Sequence, residues 1–438
     1  MRKAAFHNLG CKVNAYETEA MQQLLEKAGY EIVDFNEKAD VYIINTCSVT
    51  NIADRKSRQM LHRAKHKNPE AVVVAAGCYV QAVGEKLLSD DAVDLIIGNN
   101  KKAELVQLLE AYFKDNKADA GLVDISTTKE YEGLHIEKIA DHTRAFMKVQ
   151  DGCNQFCSYC IIPYTRGRVR SREMSDVLEE ARTLVRSGYQ ELVLTGIHLS
   201  SYGKDFSEEK KVGLLDLIEA IHEIEGVKRI RLGSLEPRII TLEFAKRLAA
   251  LPKVCPHFHL SLQSGCNATL KRMNRHYSVE DYLERCEILR SVYENPAITT
   301  DVIVGFPGES EEEFEETREF LKKVHFYEMH VFKYSRRAGT RAADMPDQVP
   351  ETVKSERSDV LLELEHAMSL EYRRSFAGQR KTVLLEEKTV IDGQEYWIGH
   401  TKEYVKAIVP CQNHLKNTMV TGEFTAMLNE ELWMMQTE

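Results

Sequence analysis

A chain of 438 residues is too long for one ordinary hydrophobic core, so two to four domains are expected. Its 43% hydrophobic and 29% charged residues are globular proportions, and a net charge of −10 with a pI near 5.9 excludes a nonspecific nucleic-acid coat. Any polyanion must be met locally: 54–67 holds six Lys/Arg against one acid, Arg166, Arg168, Arg170 and Arg172 alternate, and 309–319 holds seven glutamates.

The longest clear apolar run, AVVVAAG (71–77), is far short of a membrane span. The start is interrupted by His7, Asn8, Lys12 and Asn14 and has no secretory core, so a cytoplasmic protein without membrane association is expected. Ten cysteines are too sparse for a disulfide scaffold, which leaves metal binding, catalysis or burial.

In chain order, AAFHNLG (4–10), VYIINT (41–46), AVVVAAG (71–77) and DLIIG (94–98) predict buried strands separated by amphipathic helices such as 17–29, hence a parallel α/β unit. The polar stretch 114–142 reads as a linker. From about 143, RAFMKVQ, ELVLTG, RIRLGS, HFHLSLQSG, ITTDVIVGFPG and HVFKYS alternate with helices, predicting an open or partial (β/α)6 barrel. A long helix follows 344–351 and ends near Gly378. The last sixty or so residues hold short, closely spaced strand candidates and predict a small all-β barrel.

Cys11, Cys47 and Cys78 each lie just after a predicted strand, where an open parallel sheet binds its ligands. Three thiols at three strand ends point to a metal site, although small buried hydrophobes are the bland alternative. Cys153, Cys157 and Cys160 are spaced C-x3-C-x2-C with no fourth cysteine nearby. Three thiolates suit an iron–sulfur cubane whose fourth iron takes an outside ligand. A structural zinc with a distant histidine is the competing reading, but His257 and His259 alternate on a strand and read as structural. Cys255, Cys266, Cys286 and Cys411 show no ligand spacing and read as buried thiols.

The motif GCNQFCSYCIIPYTRGRVRSR (152–172), after the first strand of a partial barrel, resembles the signature of radical S-adenosylmethionine enzymes. NTCSVT (45–50), GCYVQ (77–81), HLSLQSG (259–265) and DVIVGFPGE (301–309) extend the resemblance to the methylthiotransferases over the whole chain. The resemblance implies an N-terminal methylthiotransferase domain (1–138), a radical domain (139–372) and a TRAM-type RNA-binding β-barrel (373–438). It implies one [4Fe–4S] cluster on Cys153, Cys157 and Cys160, with S-adenosylmethionine chelating the open iron, and a second cluster on Cys11, Cys47 and Cys78 that handles the inserted sulfur. S-adenosylmethionine then serves as radical source and methyl donor. Tyr159, Thr195, Gly196, Glu236, Gln263 and Ser264 occupy its cofactor-lining positions, and VGFPGE (304–309) is expected to close over the adenine.

LGCKVNAYETEAM (9–21) and NTCSVTNIADRKSR (45–58) are most similar to the branch acting on threonylcarbamoyl-adenosine beside the tRNA anticodon. The rivals are isopentenyl-adenosine tRNA, a ribosomal protein, or a non-catalytic redox-sensing RNA-binding protein. Arg166, Arg168, Arg170, Arg172, Arg336 and Arg337, with Lys381, His400, Lys402 and Lys406 in the terminal barrel, are the expected contacts to RNA phosphates or substrate carboxylate. The chemistry also requires a sulfur donor and an electron donor such as flavodoxin or ferredoxin.

Overall fold

The computed structural model describes residues 1–115, 121–137, 143–210, 212–411 and 415–437. β1 (Lys3–Asn8), β2 (Glu31–Val33), β3 (Val41–Thr46), β4 (Val72–Gly77) and β5 (Leu95–Ile97) form a parallel sheet in the order β2-β1-β3-β4-β5. Every residue of β3 and β4 is buried, as continuous apolar strands covered on both faces require. Met21, Leu25, Leu105 and Leu109, from helices Lys12–Lys27 and Leu105–Asp115, pack on one face. Leu61 and Ala64, from helix Asn51–Lys67, pack on the other. Thr50 caps that last helix by accepting from the Ala53 N–H at 3.1 Å.

β6 (Arg144–Asp151), β7 (Arg170–Ser171), β8 (Glu191–Gly196) and β9 (Arg229–Leu232) form a second sheet, ordered β7-β6-β8-β9 with β7 antiparallel at its edge. β10 (His257–His259), β11 (Ala297–Val304) and β12 (Glu328–Lys333) form a parallel sheet beside it. Isolated parallel bridges Ile230↔Val254 and Leu235↔Leu260 link the two, so six parallel strands follow one another with helices between them. Phe258, Ile298, Val302 and Met329 enter the helix-backed core, leaving their strand neighbours to the inner face.

The predicted linker is not a loose connection. Gly121 bridges Ile97, Leu134 and Ile136 join the central core, and the Tyr16 hydroxyl donates to the Leu134 carbonyl at 2.7 Å. Residues 121–137 therefore strap the first sheet to the second; polarity alone concealed two buried anchors.

β13 (Arg380–Ile391), β14 (Gln394–His400), β15 (Lys406–Pro410), β16 (Thr418–Met427) and β17 (Leu432–Thr437) close a barrel ordered β13-β14-β15-β17-β16. Asp392-Gly393, both at positive φ, make the two-residue turn between β13 and β14. Buried Arg229 and Arg231 donate to the carbonyls of Thr382, His400, Thr401 and Lys402, docking this barrel under the central strands. No described helix is long and apolar enough to cross a membrane.

Candidate active site

Cys153, Cys157 and Cys160 occupy the loop after β6, at the carboxyl end of the central strands. Gly152 makes the entry turn at φ +69°; a Cβ there would lie 1.8 Å from the Arg168 carbonyl oxygen, so no other residue fits. The Cys153 N–H donates to the Gly167 carbonyl (3.0 Å), and Ser158 is pinned by N–H and hydroxyl bonds to the Met273 and Arg272 carbonyls. Two donors aim at sulfur: the Gln155 N–H at Cys153 Sγ (3.5 Å) and Arg275 Nη1 at Cys157 Sγ (3.4 Å). Burial pushes the Cys153 thiol up to about 11. In these surroundings a thiolate needs a cationic partner, which bound iron supplies.

Cys11, Cys47 and Cys78 follow β1, β3 and β4, as expected from their strand-end positions. Gly10, at φ +102°, abuts Cys47: a Cβ would stand 2.9 Å from its Sγ. Burial raises the Cys47 thiol to about 11, with Cys78 and Cys11 close enough to add to the shift. The all-thiol donor sets, three cysteines in each, fit iron–sulfur clusters.

Between the trios lies a buried ionic node. Glu17 accepts from Lys102 and Lys148 (2.7 Å each) and from Arg166 (2.8 Å); Lys148 also meets Asp151 at 2.6 Å. Burial alone would raise Glu17, but Arg166, Lys102 and Lys148 outweigh it and hold its carboxyl well below the usual range. Two asparagines carry the node to the cysteines. Arg166 Nη2 donates to Asn14 Oδ1 (2.6 Å), which also lies 3.8 Å from Cys11 Sγ. Lys102 holds Asn99 Oδ1 (2.7 Å), turning Asn99 Nδ2 toward Cys78 Sγ (3.5 Å) and the Thr165 carbonyl (2.7 Å).

This corrects the expectation for the arginine run. Arg166 and Arg170 are fully buried and Arg172 nearly so, Arg172 pairing with Glu180; they bond within the protein and do not face a phosphate backbone. Only Arg168 is exposed, stacked on Phe156 at 4.5 Å. Arg337 is likewise buried, joining Asn51, Asp54 and Ser48, while Arg336 is exposed and donates to the Ala343 carbonyl. In the terminal barrel, Lys381 pairs with Glu403 and His400 with Glu386 inside the barrel itself, whereas Lys402 donates to the Pro252 carbonyl and so helps dock it. Lys406 makes a solvent-facing pair with Glu431.

The cofactor-lining candidates divide. Tyr159 stands edge-on to Phe306 of the VGFPGE loop, 6.3 Å between centroids. Thr195 and Gly196 end β8 beside Gln150, whose Nε2 donates to the Asp151 and Gly152 carbonyls and whose Oε1 accepts from the His198 N–H. Glu236 is buried and accepts from Arg238 at 2.6 Å. Gln263, at φ +76°, is held to β11 through the Asp301 carbonyl and Ile303 N–H. Ser264 turns away from the site, its hydroxyl 3.3 Å from Thr317. Of the four other cysteines, Cys255, Cys266 and Cys286 are buried as expected and Cys411 is half-buried. Asn99 and Arg275 were missed: Asn99 follows a predicted strand end, but Arg275 sits in KRMNRHY with no pattern to flag it.

Residues 3–98 match the uncharacterized protein family UPF0004, and residues 147–321 the radical SAM superfamily. The chain is 42% identical to a Bacillus subtilis threonylcarbamoyladenosine tRNA methylthiotransferase, MtaB, over 93% of its own length and 90% of the relative's. The chain belongs to the radical S-adenosylmethionine methylthiotransferase family. An MtaB from Aquifex aeolicus is 40% identical over 93% and 98% of the two chains. A tRNA-2-methylthio-N6-dimethylallyladenosine synthase from Thermoanaerobacter is 39% identical over 86% and 80%. The radical S-adenosylmethionine methyltransferase TsrM of Kitasatospora setae has the same fold at 15% identity, with a TM-score of 0.56 over 90% of this chain and 78% of that one. As a member, this enzyme uses S-adenosylmethionine and two [4Fe–4S] clusters, which removes the non-catalytic redox sensor from the alternatives.

Proposed function

We propose that this enzyme adds a methylthio group to C2 of N6-threonylcarbamoyladenosine next to the tRNA anticodon. The observation that carries the reading is the pair of cysteine trios at the carboxyl ends of two parallel sheets, locked together through Arg166, Asn14 and Asn99. In this reading Cys153, Cys157 and Cys160 hold the cluster that meets S-adenosylmethionine, and Cys11, Cys47 and Cys78 hold the second. When bound, the first cluster and S-adenosylmethionine supply a radical able to remove an unactivated hydrogen atom. The protein's own work is to orient and exclude. Gly152 and Ser158 fix the loop, Arg275 orients Cys157, and Tyr159 with Phe306 forms an aromatic wall against water.

The threonylcarbamoyl substrate is supported by the 42%, 40% and 36% identical relatives, each a threonylcarbamoyladenosine tRNA methylthiotransferase. The dimethylallyl reading stays beside it because relatives at 39% identity carry that name. We assign the boundaries 1–138, 139–372 and 373–438 to the three domains, the last as a TRAM-type barrel, in a cytoplasmic protein served by flavodoxin or ferredoxin and a sulfur donor. Exposed Arg168 and Arg336 and half-buried Lys406 remain our candidate tRNA contacts. Anaerobically rebuilt enzyme, S-adenosylmethionine, reductant and sulfide are mixed with threonylcarbamoyl- or dimethylallyl-bearing tRNA. The methylthio mass must appear on the threonylcarbamoyl nucleoside; its appearance only on the other overturns the assignment.

A further inference from the structure

The inner face of β10–β12 carries a polar cluster that the cysteine sites do not use. His259, Asp301 and His330 come from three adjacent strands, with ligand-capable atoms all within 4.8 Å of one another. His259 Nδ1 meets Thr299 Oγ1 at 3.1 Å. Its Nε2 is buried without a hydrogen bond among the described residues, Asp301 Oδ2 standing 3.3 Å away. The His259 and His330 rings lie 6.0 Å apart and 26° from parallel. Phe332, on the same face, is 49% exposed, its ring 6.5 Å from His330.

The cluster lies below the radical loop. Arg275 joins Cys157 Sγ to the Ser261 carbonyl, and His259 precedes Ser261 by two residues, roughly 7 Å deeper along the strand. A buried nitrogen whose nearest acceptor is Asp301 at 3.3 Å, that carboxylate and a second, exposed imidazole on the inner wall form a surface able to take up further polar groups. The exposed Phe332 beside them favours a nucleoside over an enclosed ion.

We propose that His259, Asp301 and His330 read the N6 substituent of the target adenosine. The inference rests on the tRNA methylthiotransferase reading above and deepens it. Imidazole N–H groups donate to the carbonyl and carboxylate oxygens of a threonylcarbamoyl group, Asp301 accepts from its N–H or hydroxyl, and Phe332 offers a ring face to the base. A dimethylallyl group would offer His330 and the free positions of His259 and Asp301 no hydrogen-bonding group, the situation in which sites discriminate most strongly.

The test gives rebuilt holoenzyme equal amounts of the two modified tRNAs and reads both products by mass spectrometry. His330→Phe and Asp301→Leu are expected to lower kcat/KM on the threonylcarbamoyl substrate by about 100-fold, mainly through KM, and to narrow the preference. Asp301→Asn recovers part of it. Iron and sulfide content matching the wild type checks folding. Should the variants fail that check, diethylpyrocarbonate footprinting of the wild type decides: a threonylcarbamoyl stem-loop RNA protects His259 and His330, and the unmodified RNA does not. Preference retained in both folded variants, equal protection by both RNAs, or stoichiometric zinc lost in His259→Ala overturns the proposal while leaving the proposed substrate intact. A wild type that modifies only dimethylallyl tRNA overturns both.

Discussion

Cys153, Cys157 and Cys160 share one loop, whereas Cys11, Cys47 and Cys78 come from three strand ends far apart in the chain. The first trio takes its entry turn from nearby contacts, Gly152 against Arg168 and the Cys153 N–H on the Gly167 carbonyl, and Ser158 ties the loop to Arg272 and Met273 within the same radical domain. The second depends on groups from elsewhere: Asn99 after β5, and Arg166 from the other sheet's loop. A local site carries its geometry in its spacing; a distributed one borrows it from the fold. The local trio should therefore tolerate damage to the interface better than the distributed one.

The largest expected contrast comes from the cysteines themselves. Cys157→Ala should abolish 5′-deoxyadenosine formation and product alike, whereas Cys47→Ala should retain reductive S-adenosylmethionine cleavage and lose only the methylthio product; chromatography of the quenched reaction reads both. Next is the shared node. Arg166→Leu leaves Glu17 and Asp151 short of a buried cation and should cost about 3–5 kcal/mol in denaturant unfolding, with iron lost first from the distributed trio. Arg275→Gln is the milder counterpart at the local trio. It weakens the support of Cys157 and should lower activity by about 10-fold, with an altered EPR signal of the radical cluster and an intact second cluster.

Acid should loosen the barrel docking before it reaches the trios. Burial opposes ionisation of Glu191, but Arg231 and Arg229 outweigh it and hold the carboxyl at about 2, below its ordinary 4.5. Its stabilising contribution is complete above pH 4.5 and is lost as pH falls toward 2. Trp397 and Trp433, the only tryptophans of the chain, both lie in the terminal barrel, so their fluorescence should report this window, flattened in Glu191→Gln. The smallest effect is Lys406→Ala: within about 0.5 kcal/mol of wild-type stability, because the Glu431 pair is solvent-facing. If Lys406 meets a tRNA phosphate, the salt dependence of binding becomes shallower by about one unit.

Much of this was legible beforehand because it is written locally. The parallel α/β runs, the C-x3-C-x2-C loop and the closely spaced strands of the terminal barrel follow from periodicity and spacing. Strand-end logic also placed Cys11, Cys47 and Cys78 together. What failed was partner assignment. Alternating arginines looked like a phosphate comb, yet Arg166, Arg170 and Arg172 are buried in the interior, because the acids they answer, Glu17, Asp151 and Glu180, lie elsewhere in the sequence. His259 read as a structural strand residue; only strand register reveals Asp301 and His330 beside it.

Glu17 draws cations from both sheets, and this has a consequence for dividing the molecule. Expressed without the central strands, the N-terminal portion would keep, among the described residues, Lys102 as Glu17's one ion-pair partner; the complementary fragment would leave Lys148, Arg166 and Arg170 crowded around Asp151. Neither half is electrically self-sufficient. A chimera that exchanges one sheet must transplant both sides of this seam together.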